Sequence, residues 1–416
     1  MSIAYLVSCY PSISHTFIRR EVSALRALGR VVHTFSQRRA PSTWKPNELD
    51  RIEQEQTHVL LPASPWSMIR HHIWALVRRP LAYARTFGLA MRARNPGLRN
   101  AAVALFGFIQ CVSLARHLDK RVIRHLHAHF SNSGGNVALL ATAYLGIRYS
   151  LTLHGSADFD QPSRFTLVHK IRAACLVVCV SQYGRSQAMR LCEPELWHKL
   201  HVVHCGIFLP SGSAHAAHGF PRPRPHRLRI LTVGRLSPEK GHLGLIEAFA
   251  RTRVETGLDL ELHIVGEGPE RSRLESTIAA LKLIDRCVLL GQADEEGVRD
   301  AMRDADLFAL SSLMEGIPVV LMEAMALGLP VVAPAVAGIP ELVEHGTTGW
   351  TFPVGDWTKL SQKMAELLSD DTFRVRTTTR AREKVEAEFE IRRNATLLNA
   401  HFQRLTETQA DPAGVE

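Results

Sequence analysis

The sequence predicts an α/β protein made of two doubly wound parallel-sheet domains joined by a linker. Three observations carry that prediction. A strand–helix rhythm begins at Ile3, breaks off, and restarts at Leu228. The interruption, residues 209–227, is poor in large apolar side chains and rich in Pro, Gly, Ser and His, which is a linker composition. The length of 416 residues exceeds a single ordinary core. With 46% hydrophobic and 22% charged residues, the chain has the balance of a soluble globular protein, which excludes disorder, a collagen and a coiled-coil rod.

In order, Ile3–Ser8 reads as a buried strand; no basic segment precedes its apolar run, so it does not read as a secretory signal. Thr16–Leu28 has helical spacing of Phe17, Val22, Leu25 and Leu28, and Val31–Phe35 follows as a second strand. Arg124–Phe130, Tyr149–Leu153 and Leu176–Val180 are short strand-like runs between longer helical stretches. After the linker come strands at Leu228–Val233, Leu260–Val265, Val288–Leu290, Leu307–Leu310 and Val331–Ala333. They alternate with helices at Gly241–Arg251, Glu270–Leu281, Glu295–Arg303 and around Leu321–Ala326. The tail from Leu360 to about Leu405 reads as helical throughout. Two such sheets would face a central cleft at the carboxyl ends of their strands, where ligands of this architecture bind.

The net charge of +10 is unevenly placed. Between Glu55 and Asp119 there is no acidic residue, while Arg70, Arg78, Arg79, Arg85, Arg92, Arg94, Arg99 and Arg116 fall there, interleaved with Trp66, Ile69, Ile73, Trp74, Leu76 and Val77. A basic, Trp-bearing amphipathic stretch suits an anionic membrane surface, with Trp66 and Trp74 on one helical face. A solvated basic face is the plainer reading, and no nucleic-acid motif supports that third option. No apolar run approaches 18 residues; Ala101–Ile109 is stopped by Gln110, so the chain is expected not to span a membrane. Seven scattered cysteines without a C-x-x-C pair read as buried free thiols in a reducing compartment.

Two constellations carry chemistry. In the first, Glu315 and Glu323 are separated by seven residues, with Gly316-Ile317-Pro318-Val319 between them and a helix start near Pro318. If the segment were wholly helical, the carboxylates would stand roughly 10 Å apart. That separation suits hydroxyls on two parts of an extended ligand, and the helix N-terminus suits a phosphate. In the second, a strand ends at Gly234, and Arg235 and Lys240 bracket a turn that opens a helix at Gly241: two cations at a strand–helix junction form an anion site.

These segments resemble the family 4 retaining, nucleotide-sugar-dependent glycosyltransferases of GT-B fold. The likeness covers nearly all of the second domain: Gly234–Gly241, His263-Ile264-Val265-Gly266-Glu267-Gly268-Pro269, the paired glutamates, Gly338-Ile339-Pro340-Glu341-Leu342-Val343 and Gly346-Thr347-Thr348-Gly349. In the first domain it rests on His127-Ala128-His129-Phe130, Leu153-His154-Gly155 and Val180-Ser181. The opening Pro11–Glu21 is similar to that of bacterial exopolysaccharide and colanic-acid-type members, although the first loop lacks the glycine pair of many relatives.

The resemblance implies that Arg235 and Lys240 bind the donor diphosphate, that Glu323 takes the ribose hydroxyls, and that Glu315 and His154 sit by the donor sugar. Gly316, Ile317, Pro318 and Val319 would offer backbone amides to sugar and phosphate. Catalytic roles would fall to Glu315, His154, Arg235 and Lys240. It further implies retention of configuration, a UDP- or GDP-linked donor as substrate, no cofactor and no strictly required metal. The acceptor would be a saccharide, or a polyprenyl-diphosphate-linked oligosaccharide, at the inner face of the cytoplasmic membrane. In this fold the last helix returns to the first domain, so the expected division is 1–208, linker 209–227, 228–385, and a returning helix at 386–416. Its apolar contacts would come from Val385, Phe389, Ile391, Leu397, Leu398 and Phe402. Alternatives are a nucleotide-sugar epimerase or phosphorylase of the same fold and a non-catalytic sugar-binding subunit.

Three weaker patterns are set aside. Asp304-Ala305-Asp306 matches a metal-binding D-x-D but reads as a helix cap. His125, His127 and His129 alternate along a strand but have no carboxylate or cysteine beside them in sequence. Gly266-Glu267-Gly268 lacks the third glycine of a dinucleotide loop.

Overall fold

A computed structural model describes residues 2–12, 15–41, 44, 46–160, 166–210 and 227–407. The chain divides into two units, the first comprising Met1–Cys205 with Ile391–Glu416 and the second Gly206–Glu390. Most of the expected linker, 211–226, lies outside the described residues.

The first unit is built on seven strands: β1 (Ile3–Cys9), β2 (Val32–Arg38), β3 (His58–Leu61), β4 (His125–His129), β5 (Arg148–Leu153), β6 (Leu176–Cys179) and β7 (Leu200–Val202). All pairings are parallel, in the order β3-β2-β1-β4-β5-β6-β7. β1 explains why the sheet is covered on both faces. Ala4 and Leu6 join the apolar cluster on one side, and Ile3, Tyr5 and Val7 join the cluster on the other. A strand buried on both sides reads as a continuous apolar run rather than an alternating one. The second cluster contains Ile18, Val22 and Leu25 of the helix Thr16–Ala27 and Ile391, Ala395, Leu398 and Phe402 of the helix Ile391–Glu407. Three expected contacts differ. Leu397 is exposed, and Val385 and Phe389 are buried in the second unit.

After β3 the acid-free stretch folds as three helices, Pro65–Arg78, Pro80–Arg92 and Leu98–Lys120. The last is long and apolar enough, by length and composition, to cross a membrane, although Gln110 interrupts its apolar run. Its polar interruptions are satisfied internally: Gln110 is buried and accepts a hydrogen bond from Gln37 at 2.8 Å. Phe108, Cys111, Val112, Leu114, Ala115 and Leu118 lie in the core of the unit, and this burial accounts for the apolar composition of that half. Trp74 packs inward, its ring 5.8 Å from that of Tyr144 and under the Arg116 guanidinium at 4.7 Å, so it does not share an exposed face with Trp66.

The second unit has six parallel strands: β8 (Leu228–Val233), β9 (Leu260–Val265), β10 (Cys287–Gly291), β11 (Leu307–Ala309), β12 (Val331–Pro334) and β13 (Trp350–Phe352), ordered β10-β9-β8-β11-β12-β13. The tail is three helices, Trp357–Ser369, Asp371–Glu388 and Ile391–Glu407. Each sheet reverses its winding once, between β1 and β4 and between β8 and β11. Ligands of open α/β sheets bind at such reversals, beyond the carboxyl ends of the strands.

Candidate active site

At the reversal of the second sheet, the loop after β8 meets the loop after β11. Gly234 leaves β8, and Arg235 follows with an exposed side chain that forms no ion pair with any described residue. The glycines of the next loop hold this one from behind. Gly266 lies at φ +150°, and a Cβ there would fall 1.9 Å from the Gly234 carbonyl oxygen; one at Gly268 would fall 2.3 Å from that of Leu236. Gly266-Glu267-Gly268 is therefore a backbone-packing device, cross-linked by Leu236 N–H to Glu267 O at 3.0 Å. His242 supports the turn from below, with Nε2 3.2 Å from the Arg235 carbonyl. Burial pushes its pKa down to about 4, so the ring is neutral and adds no charge.

Lys240 and Glu315, given neighbouring roles by the resemblance, are in direct contact: Lys240 Nζ donates to Glu315 Oε1 at 2.5 Å. The same oxygen accepts from Ser312 Oγ at 2.6 Å, and Ser311 Oγ donates to the Lys240 carbonyl at 2.9 Å. Gly241 lets the chain pass here. Its φ is +64°, and a Cβ would lie 2.2 Å from the Ser311 carbonyl oxygen. Neighbouring Glu239 forms no ion pair with Lys240 among the described residues; it accepts from Ser237 Oγ at 2.6 Å. Ser311 and Ser312 escaped the sequence reading because a hydroxyl beside a glutamate carries no spacing signal.

Glu315 does not share a helix with Glu323. Glu315 through Pro318 form an irregular turn, and the helix runs Val319–Ala326, so the wholly helical geometry does not apply. Pro318 precedes this helix and no described side chain caps it, which leaves first-turn amides for an anion. Gly316 and Val319 are half-buried, Ile317 and Pro318 are buried, and Glu323 lies half-buried on the helix. The Gly316 carbonyl accepts from Gly338 N–H at 3.1 Å, which ties the turn to the loop after β12. The Asp306 carboxylate accepts from the Arg229 backbone N–H at 2.9 Å, joining the start of β11 to β8.

His154 lies in the first unit, after β5, with a half-buried side chain. Its ring packs between Phe17 and Phe130, at 4.8 and 4.4 Å, and stacks on His129 at 5.0 Å. Its Nε2 is 2.8 Å from His129 Nδ1, and its Nδ1 is 3.7 Å from Cys205 Sγ. Asp158 fixes the backbone by accepting from His154 N–H at 2.7 Å and Ser131 N–H at 2.6 Å. Burial raises the Asp158 pKa to about 6 and lowers that of Lys170, its cationic neighbour, to about 7. Lys170 donates to the Ser131 carbonyl at 2.7 Å. Asp158, four residues after His154, was the nearest readable signal of this support.

Folding brings to two of the β4 histidines a carboxylate that is not beside them in sequence: Glu21, from the helix Thr16–Ala27, has its ligand atom within 4.8 Å of those of His127 and His129. Yet both nitrogens of His127 are engaged, by Ser150 Oγ and Thr152 Oγ1 at 2.8 Å each. Two donors then remain, short of a structural metal set.

Two doubly wound parallel sheets, each with one reversal, are those of the GT-B fold. The comparisons place the chain further. The family described as Glycosyl transferases group 1 matches residues 218–384. The glycosyltransferase WcaL of Salmonella typhimurium, named for colanic acid biosynthesis, is 34% identical over 303 residues, 68% of this chain and 70% of that protein. Its Escherichia coli K12 counterpart is 29% identical over 94% of this chain and 96% of its own length. The chain belongs to the group 1 glycosyltransferases. Among solved structures, HepE of Anabaena in complex with UDP has the same fold, with a TM-score of 0.72 and 18% identity over 97% of this chain and all of that one.

Proposed function

We propose that this glycosyltransferase moves a sugar, with retention of configuration, from a nucleoside diphosphate to a hydroxyl of a saccharide acceptor in bacterial surface polysaccharide synthesis. The contact between Lys240 and Glu315 carries the reading. It puts a cation and a carboxylate at one point of the sheet reversal, where a diphosphate and its sugar would adjoin. The names of the WcaL relatives, and the UDP and UDP-glucose bound to HepE, support a nucleotide-sugar donor, UDP- or GDP-linked.

In this reading Arg235, Lys240 and the amides of Gly316–Val319 stabilise charge growing on the leaving diphosphate. Glu323 holds the ribose, and Glu315 and His154 contact the donor sugar. No cofactor or obligatory metal enters. With no residue placed as a nucleophile, the acceptor oxygen bonds to the anomeric carbon as the bond to phosphate breaks. The acceptor proton passes to the departing phosphate oxygen. Lys240→Ala and Arg235→Ala should each abolish transfer while the chain stays folded; near-normal turnover in either would refute the phosphate assignment.

We also propose that the acceptor is lipid-linked and that the enzyme works in the cytoplasm, at the inner face of the cytoplasmic membrane. Trp66 and Val77 are 75% and 79% exposed on the helix Pro65–Arg78, beside exposed Ile69, Ile73 and Leu76. Arg70, Arg78, Arg85 and Arg92 are exposed in the same region. Each arginine near an anionic leaflet contributes about 1 kcal/mol. Co-sedimentation with phosphatidylglycerol vesicles should occur at low salt and weaken at high salt. Binding unchanged in Arg70→Ser/Arg78→Ser/Arg85→Ser would reject the contact.

A further inference from the structure

A line of Tyr5, Glu21 and His129 runs up to His154, and these three have no part in the roles assigned so far. Tyr5 Oη donates to Glu21 Oε1 at 2.7 Å; Glu21 Oε1 faces His129 Nε2 at 3.5 Å; His129 Nδ1 meets His154 Nε2 at 2.8 Å. His129 is wholly buried, and its Nε2 has no hydrogen-bond partner at normal length among the described residues. We propose that Glu21 and His129 are positioning residues that fix the tautomer of His154, so that its Nδ1 accepts a hydrogen bond from a hydroxyl of the donor sugar. This deepens, and rests on, the placing of His154 beside that sugar.

The argument follows from counting protons. Two imidazole nitrogens 2.8 Å apart share one hydrogen, so one ring donates and the other accepts. What lies behind His129 decides which. A carboxylate only accepts, and the Tyr5 phenol, its pKa raised by burial, stays protonated and donates to the same oxygen. A lone pair on His129 Nε2 would face the carboxylate in a buried site, whereas an N–H there is attracted to it. With that proton on Nε2, His129 Nδ1 is the acceptor and His154 Nε2–H the donor. Burial lowers the pKa of His154, so the ring is neutral and its Nδ1 is left with a lone pair.

The neighbour of that lone pair fits. Cys205 Sγ lies 3.7 Å from His154 Nδ1, and burial raises its pKa so that it remains a thiol, a weak donor. A sugar hydroxyl is a stronger donor and can take its place. The ring cannot turn away, because Phe17 and Phe130 flank it, the His129 ring lies at 23° to it, and Asp158 anchors its backbone N–H. Without the carboxylate, the shared proton can sit on His129 Nδ1. His154 would then present an N–H where a sugar hydroxyl must accept.

Nuclear magnetic resonance of the full chain labelled with ring-15N histidine tests this, with the His154 signals assigned by their loss in His154→Gln. Nε2 of His154 should carry the proton in the wild type and in the conservative Glu21→Asp, and the proton should shift toward Nδ1 in Glu21→Gln. With the UDP- or GDP-sugar that the wild type uses, Glu21→Gln should lower kcat about tenfold, the worth of one neutral hydrogen bond, and change KM less. Glu21→Asp should recover most of it. A wild-type proton on Nδ1 overturns the proposal without any variant having to fold. So does an unmoved tautomer in Glu21→Gln, or a moved one with full turnover. A wild type inactive with every donor would instead count against the transfer reading, and the resonance result would still decide this one.

Discussion

Removing the charge at either end of the Lys240–Glu315 contact should destabilise the second unit, and removing both should cost less than the sum. Lys240→Met and Glu315→Gln keep the size of each side chain while deleting its charge. The pair is at 2.5 Å, with the two side chains 24% and 10% exposed, so solvent screens it only in part. A hydrogen bond to a charged group contributes about 1.5–3 kcal/mol. Lys240→Met leaves the Glu315 carboxylate with the Ser312 hydroxyl at 2.6 Å, which offsets some of the loss. The lower half of the range, about 1.5–2 kcal/mol, is therefore expected for each single variant. For a unit of this size that is a fall in Tm of about 3–8 °C. The double variant should recover about 1 kcal/mol as coupling, since no buried charge is left unpaired. Urea unfolding of the four proteins, followed by fluorescence, measures the cycle. A coupling within about 0.3 kcal/mol of zero would mean that the contact does not form in solution, and that the two groups act at separate points of the donor.

Gly266→Ala should lower the stability of the second unit by more than about 2 kcal/mol in chemical denaturation, because its Cβ would meet a backbone oxygen at 1.9 Å and φ +150° is closed to alanine; an effect under 0.5 kcal/mol would refute the close approach. Phe402→Ala should cost the first unit about 3–5 kcal/mol, since its ring is fully buried against His125 and His127, and should leave the unfolding of the second unit unchanged. Burial lowers the His125 pKa to about 3, below its unfolded value near 6.5. The unfolded chain then binds more protons between those limits. The stability His125 contributes is present above pH 6.5 and lost as the pH falls toward 3. The gap in Tm between wild type and His125→Asn should narrow over that range, and a constant gap would show that the ring titrates alike in both states.

Most of the strands were legible because they are short runs followed by a turn and a helical pattern. β8, with Ile230 and Leu231 wholly buried, is such a run. β3, β7 and β13 were missed because three or four edge residues make too little pattern. The cation and carboxylate positions of the second unit were visible from their motifs, but their mutual contact was not, since 75 residues separate Lys240 from Glu315. The assembly around His154 was hidden for a similar reason. Glu21 belongs to a helix packed beneath β1, His129 to the neighbouring strand and Cys205 to the end of the unit, so only folding makes them neighbours. Trp74 and Trp66 show the limit of helical spacing, which gives angles around an axis but not which angle is covered by other helices.

The helix Ile391–Glu407 belongs to a unit whose other residues end at Cys205, while the second unit is one unbroken stretch, Gly206–Glu390. On a ribosome, where domains are finished as their residues emerge, this inverts the usual order. The sheet of the first unit is translated early, yet Ile3, Tyr5 and Val7 wait for Ile391, Leu398 and Phe402 to cover their side of it. The second unit has by then all of its own residues. The nascent first unit must meanwhile keep an incomplete apolar face from pairing with other chains, which makes it the part of the molecule most in need of a chaperone during synthesis.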